Sequence, residues 1–291
     1  MISNPTEGVL RHEMIKVCQR LYQKNFVSAS DGNLSARLSQ ERLLITPSGF
    51  SKGDLRESYL IIVDMNGKVI RGARGPGGEI LKVTSELKMH LEVYRQRQDV
   101  KAVVHAHPPI ATGFSLAGVP MAKCLLPEVV YTLGAIPTTT FAAPTTEEVP
   151  ESVRELIQTF DALILDRHGA LTVGKDVWDA YYKLEKIEHT AQVMLTAYQL
   201  GSVRELTKEQ RQKVIEVGYS LGIRPEAMAI CKGGEDGTSS CSISSDRKCC
   251  SGNSVSHGAP EVVCSIPIAN KESERDTIRT ALLEEIESVK S

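Results

Sequence analysis

The sequence predicts an α/β protein with a mixed, largely antiparallel central sheet flanked by helices, followed by a flexible C-terminal extension. Short apolar segments typical of strands alternate with segments whose apolar residues recur at helical spacing. The segment Asp64-Met-Asn-Gly67 has the composition of a hairpin turn, so we expect neighbouring strands there to pair antiparallel. The 291 residues, 41% of them hydrophobic, suffice for one large domain with a packed core.

The individual elements follow from this patterning in chain order. They are separated by small-residue turns at residues 28–35 and 46–49 and by a glycine-rich loop at 72–78. Mixed helices and strands with short connections are typical of helices packed around a sheet. The patterns predict helices over residues 6–25, 85–96, 109–116 and 175–200, and strands over 43–46, 59–64, 68–70, 102–107, 161–165 and 171–173.

The composition changes after about residue 230. Residues 232–258 are rich in Gly, Ser, Lys, Asp and Cys and offer little to bury. Helical periodicity returns near the end, where Ile278, Leu282 and Ile286 share one face. We therefore divide the chain into a domain at 1–228, a flexible linker at 229–270 and an amphipathic helix at 271–291.

Charge and hydropathy narrow the class of partner. The net charge of −2 gives no reason to expect a nucleic acid or an anionic membrane surface. The apolar runs are too short to span a bilayer, and the N-terminus lacks the pattern of a secretory signal. We therefore expect a cytoplasmic protein.

Histidines at the ends of predicted strands carry the strongest chemical signal. His105 and His107 lie at positions i and i+2 of one strand, so both imidazoles can reach the same ion. An isolated pair of this kind is more often two polar residues at a strand end. Here His168 ends a second apolar strand, and Glu86 begins a helix that stops shortly before the histidine strand. Three imidazoles with an open position are typical of a catalytic zinc site.

Five motifs resemble one family in their order and spacing. The chain resembles the class II aldolase/adducin family, and within it most of all the bacterial L-fuculose-1-phosphate aldolases. The resemblance covers about residues 8–225. The motifs are Gly32-Asn-Leu-Ser35, Thr46-Pro-Ser-Gly49, Ser85-Glu-Leu-Lys-Met-His90, Val103-Val-His-Ala-His107 and Arg167-His-Gly169.

The resemblance implies roles for particular residues. It implies that His105, His107 and His168 bind Zn²⁺ and that Glu86 is the acid/base. Small-residue turns and a helix start can supply the concave set of donors that a phosphate needs. His90 follows Glu86 by one helical turn, and we expect it to have a packing role. The implied phosphate-binding residues are Gly32, Asn33, Ser48, Gly49, Thr84 and Ser85.

The resemblance also implies a reaction. It is the retro-aldol cleavage of a deoxyketose 1-phosphate, L-fuculose or L-rhamnulose 1-phosphate, to dihydroxyacetone phosphate and lactaldehyde. An L-ribulose-5-phosphate 4-epimerase and a methylthioribulose-1-phosphate dehydratase are alternatives with the same zinc histidines. A non-catalytic adducin-like module would be expected to lack the metal ligands, and this sequence keeps His105, His107, His168 and Glu86.

Two further expectations concern partners. The family aldolases are fourfold-symmetric tetramers that use a tyrosine of a neighbouring subunit, and Tyr131 is our candidate, although an ordinary place at a domain edge is as good an explanation. The helix at 271–291 resembles peptides that target enzymes to a bacterial microcompartment shell. Its alternative is a helix that docks on its own domain or oligomer.

Overall fold

The computed structural model describes residues 6–201 and 203–221. The expected linker at 229–270, the helix at 271–291 and the flexible C-terminal extension lie outside the described residues. None of the helices within the described ranges has the length and apolarity needed to cross a membrane.

A single sheet forms the centre of the described part of the chain. Its strand order is β4-β3-β2-β1-β5-β7-β6, and each pair of neighbouring strands is antiparallel. This confirms the predicted α/β class with a largely antiparallel sheet. The strands are β1 (Asn33–Ser39), β2 (Arg42–Ile45), β3 (Ile61–Asp64), β4 (Val69–Arg71), β5 (Ala102–Ala106), β6 (Ala162–Leu165) and β7 (Gly169–Gly174).

Helices cover the sheet. Thr6 caps the first helix through its side chain, Asp176 caps the sixth, and Thr207 with Gln210 forms a capping box on the seventh. The sixth helix packs on β5 and β7, while the second and fifth pack against each other. The helices are α1 (Glu7–Gln23), α2 (Leu87–Gln96), α3 (Pro109–Leu116), α4 (Pro127–Leu133), α5 (Glu148–Thr159), α6 (Val177–Leu200) and α7 (Lys208–Ser220), with a 3₁₀ turn at Glu57–Tyr59.

The sequence patterns missed β1, the strand on which the site depends. The first residues of β1 were expected to belong to the small-residue turn at 28–35. In the structure both faces of β1 are buried: Leu34 and Ala36 belong to the main apolar cluster, while Asn33 and Ser35 face α2. A strand whose second face contacts buried polar partners loses the apolar alternation that marks a strand. The helices α4, α5 and α7 were not predicted either.

Candidate active site and metal centre

The histidine strand β5 lies between β1 and β7, which places its end at the centre of the sheet. His105 is opposite Asn33 on one side and Leu171 on the other. His107 follows the last residue of β5, and its backbone N–H donates to Phe26 O at 2.8 Å. His168 occupies the tight turn between β6 and β7, where the preceding Arg167 has a φ of 55°. The third histidine therefore reaches the same end of the sheet as His105 and His107, from the neighbouring strands β6 and β7.

The three imidazoles converge. Their ring centroids are 4.8–5.0 Å apart. One nitrogen from each ring can be chosen so that all lie within 4.8 Å of one another. His105 Nδ1 is 2.9 Å from Ala170 O, so this nitrogen donates its proton to the carbonyl and leaves the Nε2 lone pair free. That Nε2 is 3.0 Å from Nε2 of His107. Two imidazole nitrogens so close require a proton or a cation near them.

Glu86 completes the cluster. Its Oε2 lies 3.1 Å from His105 Nε2, and its Oε1 lies 3.4 Å from His168 Nε2. The carboxylate is largely buried, and Oε1 makes no hydrogen bond. A buried carboxylate oxygen without a donor is costly unless a cation or a substrate atom faces it. The three imidazoles beside this oxygen therefore fit a divalent metal ion that keeps a position for substrate.

The protonation states suit metal binding. Burial, helped by the neighbouring imidazole of His105, lowers the pKa of His107 and of His168 to about 4, so both are neutral at pH 7. Burial alone would raise the pKa of Glu86, but His105, Asn33 and His168 together hold it well below its usual range. Burial would likewise lower the pKa of His105, but Glu86 and the Ala170 carbonyl raise it on balance. The cluster thus presents an ionised carboxylate and, on His107 and His168, two neutral imidazoles.

We expect the affinity for metal to fall in two stages as the pH is lowered. His105, whose pKa is raised, takes the first proton as pH decreases, whereas His107 and His168 stay neutral until the pH approaches their pKa of about 4. Equilibrium dialysis against a metal buffer should show roughly one proton taken up per ion released at first, and more near pH 4. Release coupled to no proton uptake would contradict this order.

Outer contacts hold the two loop histidines in place. Glu188 of α6 accepts hydrogen bonds from Ile110 N at 3.0 Å and Ala111 N at 2.9 Å. It thereby caps α3, whose own N-cap residue is Pro108, directly after His107. The Ser115 hydroxyl donates to Asp166 and accepts from Arg167 N at 2.7 Å, which ties α3 to the turn of His168. Nothing in the linear sequence connects these residues to the site.

Two glycines allow the backbones to approach the histidines. A Cβ on Gly169 would lie 2.4 Å from Ala106 O and 2.7 Å from the ring of His107. A Cβ on Gly32, which has a φ of 72°, would lie 2.9 Å from His105 O. Contacts this short force the backbone to move, so any larger residue at either position displaces a histidine. The steric requirement gives both glycines a role beyond turn formation.

The turns predicted to bind phosphate are neighbours. Thr46, fully buried, joins them: its N–H donates to Leu34 O, its hydroxyl accepts from Leu34 N, and its carbonyl accepts from Thr84 N. Lys52, also buried, donates to Ser30 O and Phe50 O at 2.9 Å each and so links two of the turns. Ser48, Gly49 and Ser85 are exposed, whereas Gly32, Asn33 and Thr84 are buried. Their role in phosphate binding stays a prediction.

Tyr131 is not joined to this cluster within the chain. It lies half-buried on α4, and no hydrogen bond or ring contact among the described residues links it to Glu86 or to a histidine. Its assignment as a catalytic residue therefore remains a prediction that depends on a second subunit.

Three convergent imidazoles lie beside a buried carboxylate at the end of β5, inside an antiparallel sheet, and define a candidate metal centre. The chain belongs to the Class II Aldolase and Adducin N-terminal domain family, whose model matches residues 12–195. This confirms the resemblance seen in the five motifs, and the family together with its L-fuculose phosphate aldolase relatives supports a lyase enzyme.

Known relatives carry two kinds of activity in their names. An L-fuculose phosphate aldolase from Methanococcus maripaludis is 37% identical over 181 residues, covering 62% of this chain and 93% of the relative. A 3-oxo-tetronate 4-phosphate decarboxylase from Escherichia coli K12 is 30% identical over 192 residues, covering 65% and 87%. The crystal structure of YgbL from Escherichia coli, described with aldolase, epimerase and decarboxylase as alternatives, matches with a TM-score of 0.65 and 28% identity over 73% of this chain and 99% of that chain.

Proposed function

We propose that the chain is a zinc-dependent aldolase that cleaves L-fuculose or L-rhamnulose 1-phosphate to dihydroxyacetone phosphate and lactaldehyde. The observation that carries the proposal is Glu86 Oε1, a buried carboxylate oxygen without a hydrogen bond beside three imidazoles. The aldolase from Methanococcus maripaludis supports the same reaction because the match covers 93% of its length.

The donor set favours zinc. His105, His107 and His168 would hold the ion through imidazole nitrogens, which Zn²⁺ accepts readily. When bound, the ion supplies Lewis acidity that stabilises negative charge on substrate oxygens. Glu188 and Ser115 keep the ligands in place through α3 and the β6–β7 turn.

The remaining chemistry falls to side chains of the protein. In cleavage, a base accepts the proton of the C4 hydroxyl, the C3–C4 bond breaks, and its electron pair stays on the three-carbon fragment as an enediolate. Glu86 then delivers to C3 a proton that it has taken from solvent, which completes dihydroxyacetone phosphate, and the base returns the C4 proton to solvent. In synthesis the low pKa of Glu86 keeps it ionised and ready to accept that proton. In synthesis Tyr131 of a neighbouring subunit in a homotetramer would protonate the aldehyde oxygen that becomes the C4 hydroxyl.

The phosphate of the substrate would bind where the three turns meet. Ser48, Gly49 and Ser85 are exposed there, and Thr84 and Gly32 lie beneath them. Ser85 precedes the first turn of α2, where the helix dipole favours an anion. Because Glu86 follows directly, the phosphate and the proton-transferring group would be fixed by one segment of chain.

A decarboxylase is the second candidate, because relatives with that name match closely. Loss of CO₂ from a 3-oxo acid places an electron pair on carbon next to a carbonyl, as the retro-aldol step does. The two reactions differ in the departing fragment: an aldehyde needs a base for its hydroxyl proton, whereas CO₂ needs none. The site described above suits both, and only the second product distinguishes them.

The test is a substrate panel with both products measured. The panel contains L-fuculose 1-phosphate, L-rhamnulose 1-phosphate, 3-oxo-tetronate 4-phosphate, L-ribulose 5-phosphate and methylthioribulose 1-phosphate. We expect dihydroxyacetone phosphate together with lactaldehyde from a deoxyketose phosphate, loss of turnover with a chelator, and recovery with zinc. Dihydroxyacetone phosphate with CO₂ would favour the decarboxylase. Turnover of only the last two substrates would favour the epimerase or the dehydratase.

We further propose a cytoplasmic location, with residues 271–291 as a targeting helix for a microcompartment shell. The apolar residues of this segment recur at helical spacing and share one face, which supports this assignment. Fusion of these residues to a fluorescent reporter in a microcompartment-forming host should give punctate signal. A diffuse signal would leave docking on the enzyme itself as the role of the helix.

A further inference from the structure

A row of buried polar side chains lies between β1 and α2, beneath Glu86. Alternate residues of the strand (Asn33, Ser35 and Arg37) face residues of the helix spaced by four (Glu86, His90 and Tyr94). Two strand residues advance about 6.7 Å and four helical residues about 6 Å, so the two rows stay in register over two steps. We call Asn33, His90, Ser35 and Tyr94 the polar relay.

The members of the polar relay are hydrogen-bonded in sequence. Asn33 Nδ2 is 2.8 Å from Glu86 Oε2, and Asn33 Oδ1 is 2.6 Å from His90 Nε2. His90 Nδ1 is 2.7 Å from Ser35 Oγ, which is 3.0 Å from the Tyr94 hydroxyl. All four relay residues are at most 4% exposed. Arg37 closes the far end, with its guanidinium 4.7 Å from the Tyr94 ring.

Each hydrogen bond in the polar relay can point in only one direction. Because an ionised carboxylate only accepts, Asn33 donates to Glu86 through Nδ2, and its Oδ1 must accept. His90 then carries its proton on Nε2, so Nδ1 accepts from the Ser35 hydroxyl. Ser35 has used its proton and accepts from Tyr94. Every donor thus points towards Glu86, and aligned bonds of this kind polarise one another.

Burial keeps the polar relay in this state. It lowers the pKa of His90 to about 3, with a further contribution from His105, so His90 is neutral throughout the physiological range. A neutral imidazole has one donor and one acceptor, which is what its two neighbours require. Protonation would give His90 a second donor, and the Ser35 hydroxyl would then have to accept from His90 instead of donating to it. The relay is therefore fully satisfied in one arrangement.

We propose that His90, Ser35 and Tyr94 are positioning residues that act through Asn33 to fix Oε2 of Glu86, so that Oε1 is the oxygen that exchanges the substrate proton. The proposal rests on the proposed function. The sequence suggested only a packing role for His90, and the proposal gives this residue a part in orienting Glu86. Asn33 keeps its second N–H for substrate, so a phosphate contact is compatible with this role.

The experiment isolates the step that belongs to Glu86. Dihydroxyacetone phosphate alone is incubated with the zinc-loaded full chain in D₂O, and NMR follows exchange of the C–H proton that the aldol reaction would abstract. We expect His90→Leu to lower kcat for exchange by roughly 10–100-fold, with KM and zinc content unchanged. His90→Gln, whose amide replaces the lost donor, should recover most of that loss, and Ser35→Ala should fall between the two.

A matched control separates positioning from stability. Val93→Ala removes buried apolar contacts from the same helix without touching the polar relay, and it should leave kcat for exchange near the wild-type value. If wild-type protein exchanges the proton and His90→Leu equals it, or if His90→Gln is as slow as His90→Leu, the positioning role is wrong. If wild-type protein does not exchange it, the proposed function fails instead.

A second measurement does not depend on activity. Long-range ¹H–¹⁵N NMR of full chain labelled at histidine should show His90 neutral, with its proton on Nε2, from pH 5 to pH 8. A proton on Nδ1, or a charged ring in that range, would overturn the direction of the relay. This outcome is independent of which sugar phosphate the enzyme accepts.

Discussion

Glu86→Gln should lower kcat by roughly 10²–10⁴-fold while zinc stays bound, because the change removes the proton-transferring group and keeps its shape. The three imidazoles are not altered, and an amide can still accept from Asn33 through its oxygen. The loss of kcat is checked by measuring turnover of the accepted ketose phosphate. The retention of zinc is checked by measuring metal content with atomic spectroscopy.

The control for this variant is Glu155→Gln, which removes an exposed carboxylate of α5. We expect it to match wild-type protein in kcat, KM and metal content. Near-wild-type turnover of Glu86→Gln would show that another group transfers the proton, and the assignment of Glu86 would have to be withdrawn.

His168→Ala should remove both bound metal and activity. One of three imidazoles is lost, so zinc affinity should fall by more than the roughly 10–100-fold that changes in outer contacts cost. Turnover should then equal that of wild-type protein treated with a chelator. The loss should be partly reversed by a large excess of zinc, because His105 and His107 remain in place.

His189→Ala is the matched control, since His189 is an exposed histidine of α6. It should bind zinc as wild-type protein does. Full metal occupancy in His168→Ala at low zinc would mean that the ion sits elsewhere, and the candidate metal centre would be wrong.

The sequence predicted the histidine positions well because they obey short-range rules. His105 and His107 are two residues apart on a strand, so their common direction follows from the pleat alone. His168 was predicted by its place after a buried strand, and family resemblance joined it to the pair. The structure brings these three rings within 5.0 Å of one another.

The missed residues share a different physical origin. β1 was hidden because Asn33 and Ser35 interrupt its apolar pattern, and they are polar because α2 presents His90 and Tyr94 to them. Glu188 caps α3 by accepting from the backbone N–H of Ile110, 78 residues earlier in the chain. Such partners meet only when strands and helices pack, so no local pattern marks them.

The sequence by itself determined the family and the antiparallel α/β class and predicted the three histidines of the candidate metal centre, since each depends on residue type at fixed spacing. The tertiary structure decided which oxygen of Glu86 is held and which is free, because that choice depends on the register between a strand and a helix. Strand and helix periods differ, and the near-equal advance of the two rows over two steps becomes visible only after the two elements pack.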